Sequence, residues 1–129
     1  MNYNLFLDDD RFPIDVFYYT SNPIYNLLEW VIVRSYDEFV EYIVNNGIPN
    51  KISFDHDLAD VHYEIKNQNN IDYTKIEKTG YHCAKWLANY CQDNTIKFPE
   101  YYIHTQNVVG GDNIKCYIEN YKKIIENNE

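Results

Sequence analysis

Leu7-Asp8-Asp9-Asp10-Arg11 closes the short run Tyr3-Asn4-Leu5-Phe6-Leu7, and Phe54-Asp55-His56-Asp57-Leu58 follows directly on Lys51-Ile52-Ser53-Phe54. Both runs read as buried strands of a parallel sheet. Carboxylates gathered where strands end repel, and each raises the other's pKa unless a cation or a shared proton offsets the charge. Their clustering therefore implies a site. A third stretch, Ile103-His104-Thr105-Gln106-Asn107, follows the strand-like Tyr101-Tyr102-Ile103. The three stretches are expected to meet at one edge of one sheet.

Between these landmarks the chain alternates strands and helices. Trp30-Val31-Ile32-Val33-Arg34 is rich in β-branched residues and reads as a strand. Ser35 with Glu38 forms a capping box, and Tyr36, Phe39, Val40, Ile43 and Val44 make one apolar helical face, stopped by Asn46-Gly47 and Pro49. Thr79-Gly80 opens a second helix with Cys83, Ala84, Leu87, Ala88 and Cys91 on its buried face. Trp86 stands off that face, toward a neighbouring element. Gly110-Gly111-Asp112 is read as the start of a last helix, with Asp112 as N-cap and Ile114, Tyr117, Ile118, Tyr121 and Ile125 as its stripe. Two stretches resist assignment. Residues 14–29 hold either a short helix at 24–29 or an extended excursion. Residues 59–78 hold either a functional lid or a surface insertion, with 61–65 and 71–76 able to pair as a hairpin. Alternating strands and helices imply right-handed βαβ units and an α/β fold with a parallel sheet covered on both faces. In such sheets ligands bind beyond the carboxyl ends of the strands.

At 129 residues the chain is expected to form one domain, 1–129, with 14–29 and 59–78 as loops or insertions. Its formal charge of −9 argues against a long nucleic-acid footprint. Arg11 and Arg34 are its only arginines, so a phosphorylated ligand would need Arg11, a metal, histidines or a helix N-terminus. Cys83, Cys91 and Cys116 are odd in number and widely spaced, which favours reduced thiols used in packing. No signal peptide or membrane span is visible, and a cytosolic protein is expected, in a bacterial cell or an infected one. The abundance of asparagine fits an AT-rich genome, phages among them.

The candidate chemistry lies in the three edge stretches. Asp8, Asp9 and Asp55 are hard oxygen ligands suited to Mg²⁺ or Mn²⁺, which keep several waters that a phosphate can replace. Asp10, just ahead of a turn, is assigned to turn formation. His56 and His104, at the ends of separate strands, suit proton transfer to and from a water and a leaving oxygen, and Asp57 can orient an imidazole or act as a further acid. His62 and His82 are assigned to the surface or to structure. Thr105, Asn107 and the Gly110 turn offer hydroxyl, amide and backbone N–H groups to a phosphate oxygen. No Walker-type loop, nucleophile elbow or cysteine metal motif is present.

Asp8-Asp9 after the first strand, Asp55 after the third and Thr105 after the fourth resemble the receiver domains of response regulators. More specifically, Leu7-Asp8-Asp9-x-Arg11-x-Pro13, Ser53-Phe54-Asp55-His56-Asp57-Leu58, Thr79-Gly80 and His104-Thr105-x-Asn107 resemble the cyclic-phosphate-processing receiver family over nearly the whole chain. The resemblance implies a flavodoxin-like three-layer α/β sandwich with strand order 2-1-3-4. It also implies action on a cyclic phosphate, such as a 2′,3′-cyclic RNA end or a cyclic nucleotide, in RNA repair or phage–host conflict. The chain lacks the fifth strand and lysine of a signalling receiver, so phosphorelay is not implied. Threonine stands at 105 and valine at 108, where the family suggests serine and proline. Three readings follow: a metal-assisted cyclic phosphodiesterase, a module that sequesters a cyclic nucleotide, and a degenerate receiver acting through protein contacts.

Overall fold

β1 (Asn4–Leu7) runs through the middle of a four-stranded, all-parallel sheet of order β2-β1-β3-β4, formed with β2 (Val31–Val33), β3 (Lys51–Phe54) and β4 (Glu100–Ile103). The computed structural model describes residues 2–58 and 78–127. The strand order matches the expectation from sequence, and no strand bound differs from it by more than one residue. The readings for the 59–78 stretch, hairpin and lid, lie outside the described residues apart from Lys78, as does His62.

Leu5, Phe6 and Leu7 are all buried, because helices cover both faces of the central strand. One face carries Leu5, Leu7, Ile52 and Phe54 against α3 (Tyr36–Asn46), α4 (Gly80–Asp93) and α5 (Val108–Asn127). Phe39 and Ile43 of α3, Cys83, Leu87 and Cys91 of α4, and Ile114 and Ile118 of α5 complete that core. The other face carries Phe6 against Val16 and Tyr25. These come from α1 (Pro13–Thr20) and α2 (Ile24–Leu27), so residues 14–29 form two helices. α2 realises the helical one of the two readings for residues 24–29. α1 was not anticipated, since Val16-Phe17-Tyr18-Tyr19-Thr20 is β-branched and aromatic and has weak helical propensity. Pro13 at its first turn and the bond from Phe12 N–H to Asp15 Oδ2 (2.8 Å) start it regardless.

At α3 the Ser35 half of the expected capping box forms: Ser35 Oγ accepts from Glu38 N–H at 3.2 Å. At α4, His82 Nδ1 accepts from Thr79 N–H at 3.0 Å, which gives that histidine a structural role. Trp86 reaches Phe39 edge-on at 6.1 Å, as anticipated. Cys83 and Cys91 are buried, whereas Cys116 is exposed and does not serve packing.

The start of α5 differs from the sequence reading. The helix begins at Val108, with Asn107 as its cap: Asn107 Oδ1 accepts from Gly110 N–H at 2.9 Å. Gly110 and Gly111 thus lie in the first turn, and Asp112 is inside the helix. The glycines look like a breaker, yet here they serve close packing: a Cβ on Gly110 would run into Cγ, Cδ2 and Nδ1 of His56.

Gly80 is equally constrained. Its N–H donates to His56 O at 2.7 Å, and an added Cβ would overlap the Asp55 carbonyl oxygen. Because the obstacle is backbone at the end of β3, Gly80→Ala is expected to cost about 3 kcal/mol, the upper end for overpacking. A urea midpoint unchanged from wild type would contradict this packing.

Candidate active site at the carboxyl edge of the sheet

The parallel ladder continues one residue beyond β1, β3 and β4. Asp8 N–H donates to Val33 O (3.2 Å), Asp55 N–H to Leu7 O (3.0 Å) and His104 N–H to Phe54 O (3.0 Å). This register sets Asp8, Asp55 and His104 side by side as the first residues past β1, β3 and β4. All three are buried, and one ligand atom from each lies within 4.8 Å of the others.

His104 is held on every side. Its ring stacks on Phe6 (4.5 Å between centroids, 5° between planes), and its Nε2 lies 3.0 Å from Asp8 Oδ2. Nδ1 lies 2.7 Å from Ser53 Oγ, which lies 2.6 Å from the Tyr25 hydroxyl. Burial pushes the Tyr25 phenol up to about 12 against the opposing pull of its Ser53 hydrogen bond, so it keeps its proton. The buried chain Tyr25–Ser53–His104–Asp8 thus satisfies four polar groups in the core. The sequence reading gave no role to Ser53 or Tyr25. Ser53 was detectable in principle, as a serine within a fully buried strand that must find a partner.

Burial works against Asp8 ionisation, but the His104 hydrogen bond, the N–H groups of Arg11 and Asp10 and the His104 charge outweigh it and bring Asp8 to about 2. Those N–H groups reach Asp8 Oδ1 at 2.8 and 2.9 Å and fold the 8–12 loop around it. Arg34 Nη1 braces the same loop through the carbonyls of Asp8 (3.1 Å) and Arg11 (2.6 Å), a role not evident from sequence. Asp55 moves the other way. Burial, then the Asp8 charge, raise its pKa, and His104, the Thr105 hydroxyl and its hydrogen bond from His56 N–H only partly compensate.

Asp8, Asp9, Asp10, Arg11, Asp55, Asp57, Thr105, Gln106 and Asn107 line a pocket of about 330 Å³. Asp10, assigned to the turn, therefore also faces the pocket. Arg11 stands at the rim, its Nη2 donating to Gln106 Oε1 at 3.0 Å and its guanidinium 5.4 Å from the centre of the Tyr19 ring. Asn107 Nδ2 points to both oxygens of Asp57 at 3.4 Å. His56 lies behind Asp57, with Nδ1 2.8 Å from Asp57 Oδ1. A carboxylate only accepts, so Nδ1 donates, and Nε2 makes no hydrogen bond among the described residues. Gly110 N–H is taken by Asn107, so Gly110 contributes through its lack of a side chain. The edge stretches thus bring together the aspartates, Arg11, Thr105 and Asn107. The two histidines lie apart, His104 beneath the pocket and His56 beside it.

The family model of the cyclic-phosphate processing receiver domain matches residues 3–120. The chain belongs to that family. Comparison with curated proteins and with solved structures gives no significant match. As a cyclic-phosphate processing receiver domain, it places an Asp-Asp-His cluster able to hold a metal at the carboxyl edge of its sheet. The donor set fits a hard divalent cation: the pocket is lined by carboxylate, hydroxyl and amide oxygens. A cation would also offset the Asp8–Asp55 repulsion. No helix among the described residues is long and apolar enough to cross a membrane.

Proposed function

We propose that this receiver-like domain hydrolyses a cyclic phosphodiester, on a 2′,3′-cyclic RNA end or a cyclic nucleotide, with the phosphate in the acidic pocket. The observation that carries this reading is the register of Asp8, Asp55 and His104 beneath a pocket rimmed by Arg11, Thr105 and Asn107. An anion enters a pocket of carboxylates only with a cation. Asp8, Asp9 and Asp55 would hold Mg²⁺ or Mn²⁺, which when bound supplies Lewis-acid polarisation of the phosphoryl oxygens.

The chain's own groups divide the remaining work. Arg11 and the Asn107 amide orient the phosphate, and the Thr105 hydroxyl lies beside them. His104 positions Asp8 through Nε2, and Ser53 with Tyr25 fixes the ring behind it. Asp57 orients His56 so that Nε2 can exchange a proton. In the reaction a water oxygen bonds to phosphorus, one ring P–O bond breaks, the departing alkoxide takes a proton, and the water's proton passes to the base.

The test is incubation with a panel of cyclic mononucleotides, cyclic oligonucleotides and RNA ends bearing 2′,3′-cyclic phosphate, with and without Mg²⁺ or Mn²⁺. Metal-dependent appearance of a linear monoester is the expected result. Tight binding without turnover would replace hydrolysis by sequestration, and neither would leave a receiver acting through protein contacts.

A further inference from the structure

A second concavity, of about 580 Å³, meets the acidic pocket at the His56–Asp57 pair. Asp57 lines the first and His56 the second. Their linings differ in kind. Among the described residues the acidic pocket has no aromatic lining, whereas the groove contains His56, His82, Tyr81 and Tyr117, with Asn113 and Asn120 along α5. Tyr81 and Tyr117 meet edge to face at 5.6 Å. The His56 ring is fixed against Gly110, so it offers the groove a rigid flat group.

The asparagines add a second observation. Asn113 and Asn120 are both exposed on α5 and line the groove. They stand on the same side of α5 as Tyr117, at helical spacings of four and three. Aromatic rings beside donor–acceptor amides suit a flat heterocycle with a hydrogen-bonding edge.

We propose that this groove holds the nucleobase of a nucleoside cyclic phosphate whose phosphate occupies the acidic pocket. The inference rests on the function proposed above and adds to it a site for the base, in a free nucleotide or at an RNA terminus. Cyclic phosphates of simple polyols would engage only the acidic half.

Calorimetric titration in Mg²⁺ with three probes tests it: glycerol 1,2-cyclic phosphate, a nucleoside 2′,3′-cyclic monophosphate, and a short RNA ending in a 2′,3′-cyclic phosphate. At least one base-bearing probe is expected to bind about tenfold or more tighter than the glycerol ester, as one stacked base would provide. A gain with the mononucleotide assigns free nucleotides, and a gain confined to the RNA assigns termini. In Tyr81→Ala, and in the surface double variant Asn113→Ala/Asn120→Ala, the ratio between base-bearing and base-free ligands should fall toward one. Equal affinity for all three probes would overturn the groove assignment and leave the acidic pocket standing. Binding of none would sink both. A ratio undiminished in both variants would place the base elsewhere and so overturn the inference.

Discussion

Asp55→Asn is expected to abolish metal-dependent turnover, with a loss of more than about 10²-fold, while making the metal-free protein more stable. The two effects have one cause. Asp55 is buried beside the ionised Asp8, and both its burial and that charge raise its pKa. A carboxyl whose pKa is raised on folding contributes stability fully below its unfolded value near 3.8, and loses it as pH rises through the folded value. At neutral pH the Asp8–Asp55 repulsion therefore opposes folding, and a neutral amide of the same shape relieves it. Asparagine keeps an oxygen that can accept from His56 N–H, now 2.9 Å from Asp55 Oδ1, so the 55–57 turn keeps its bond. Mg²⁺ should reverse the order of stability. A cation that binds only the folded wild type adds about 2.7 kcal/mol at a hundredfold excess over its Kd, and the variant gains much less. Thermal melts of both proteins with and without Mg²⁺ read this directly, before any substrate is known. A wild type indifferent to Mg²⁺ and Mn²⁺, or a variant stabilised by them equally, would remove Asp55 from the metal site.

What sequence alone made legible was the edge of the sheet. Runs such as Leu5-Phe6-Leu7 and Ile52-Ser53-Phe54 are short, apolar and abruptly ended by charge. A strand buried on both faces has that pattern, and the topology of parallel sheets then aligns the ends. Depth was not legible. His104 and His56 look equivalent as single histidines after strands, but the ladder carries His104 under Phe6, Ser53 and Asp8, while His56 turns outward to Asp57. The partners that distinguish them come from elements far apart in the chain. One of them, Tyr25, sits in the stretch where competing helical and extended readings cancelled. The α5 start was misread for a related reason: Val108-Val109 has β-like composition and two glycines follow it. A single side-chain cap from Asn107 outweighs both signals.

That division between the histidines sets the second large effect. His56→Ala is expected to lower kcat about 10²-fold, the usual loss of a general acid or base. Asp57 Oδ1 engages Nδ1 at 2.8 Å, Asn107 steadies Asp57 from the other side, and Gly110 leaves room for the ring, so Nε2 is the nitrogen left for proton exchange. Asp57→Asn keeps the ring but can turn its amide N–H toward Nδ1, favouring the opposite tautomer, and should fall between wild type and His56→Ala. Gly110→Ala keeps both groups and moves the ring, because its Cβ and the imidazole cannot share the same space. It should therefore reproduce most of the His56→Ala loss while Mg²⁺ still raises the melting temperature, which separates a displaced imidazole from a damaged metal site. His56→Ala with full turnover and an intact melt would transfer the proton to another group. If the protein sequesters its ligand, wild type shows no turnover and the same substitution instead weakens binding, by about 1–3 kcal/mol for a lost charged hydrogen bond.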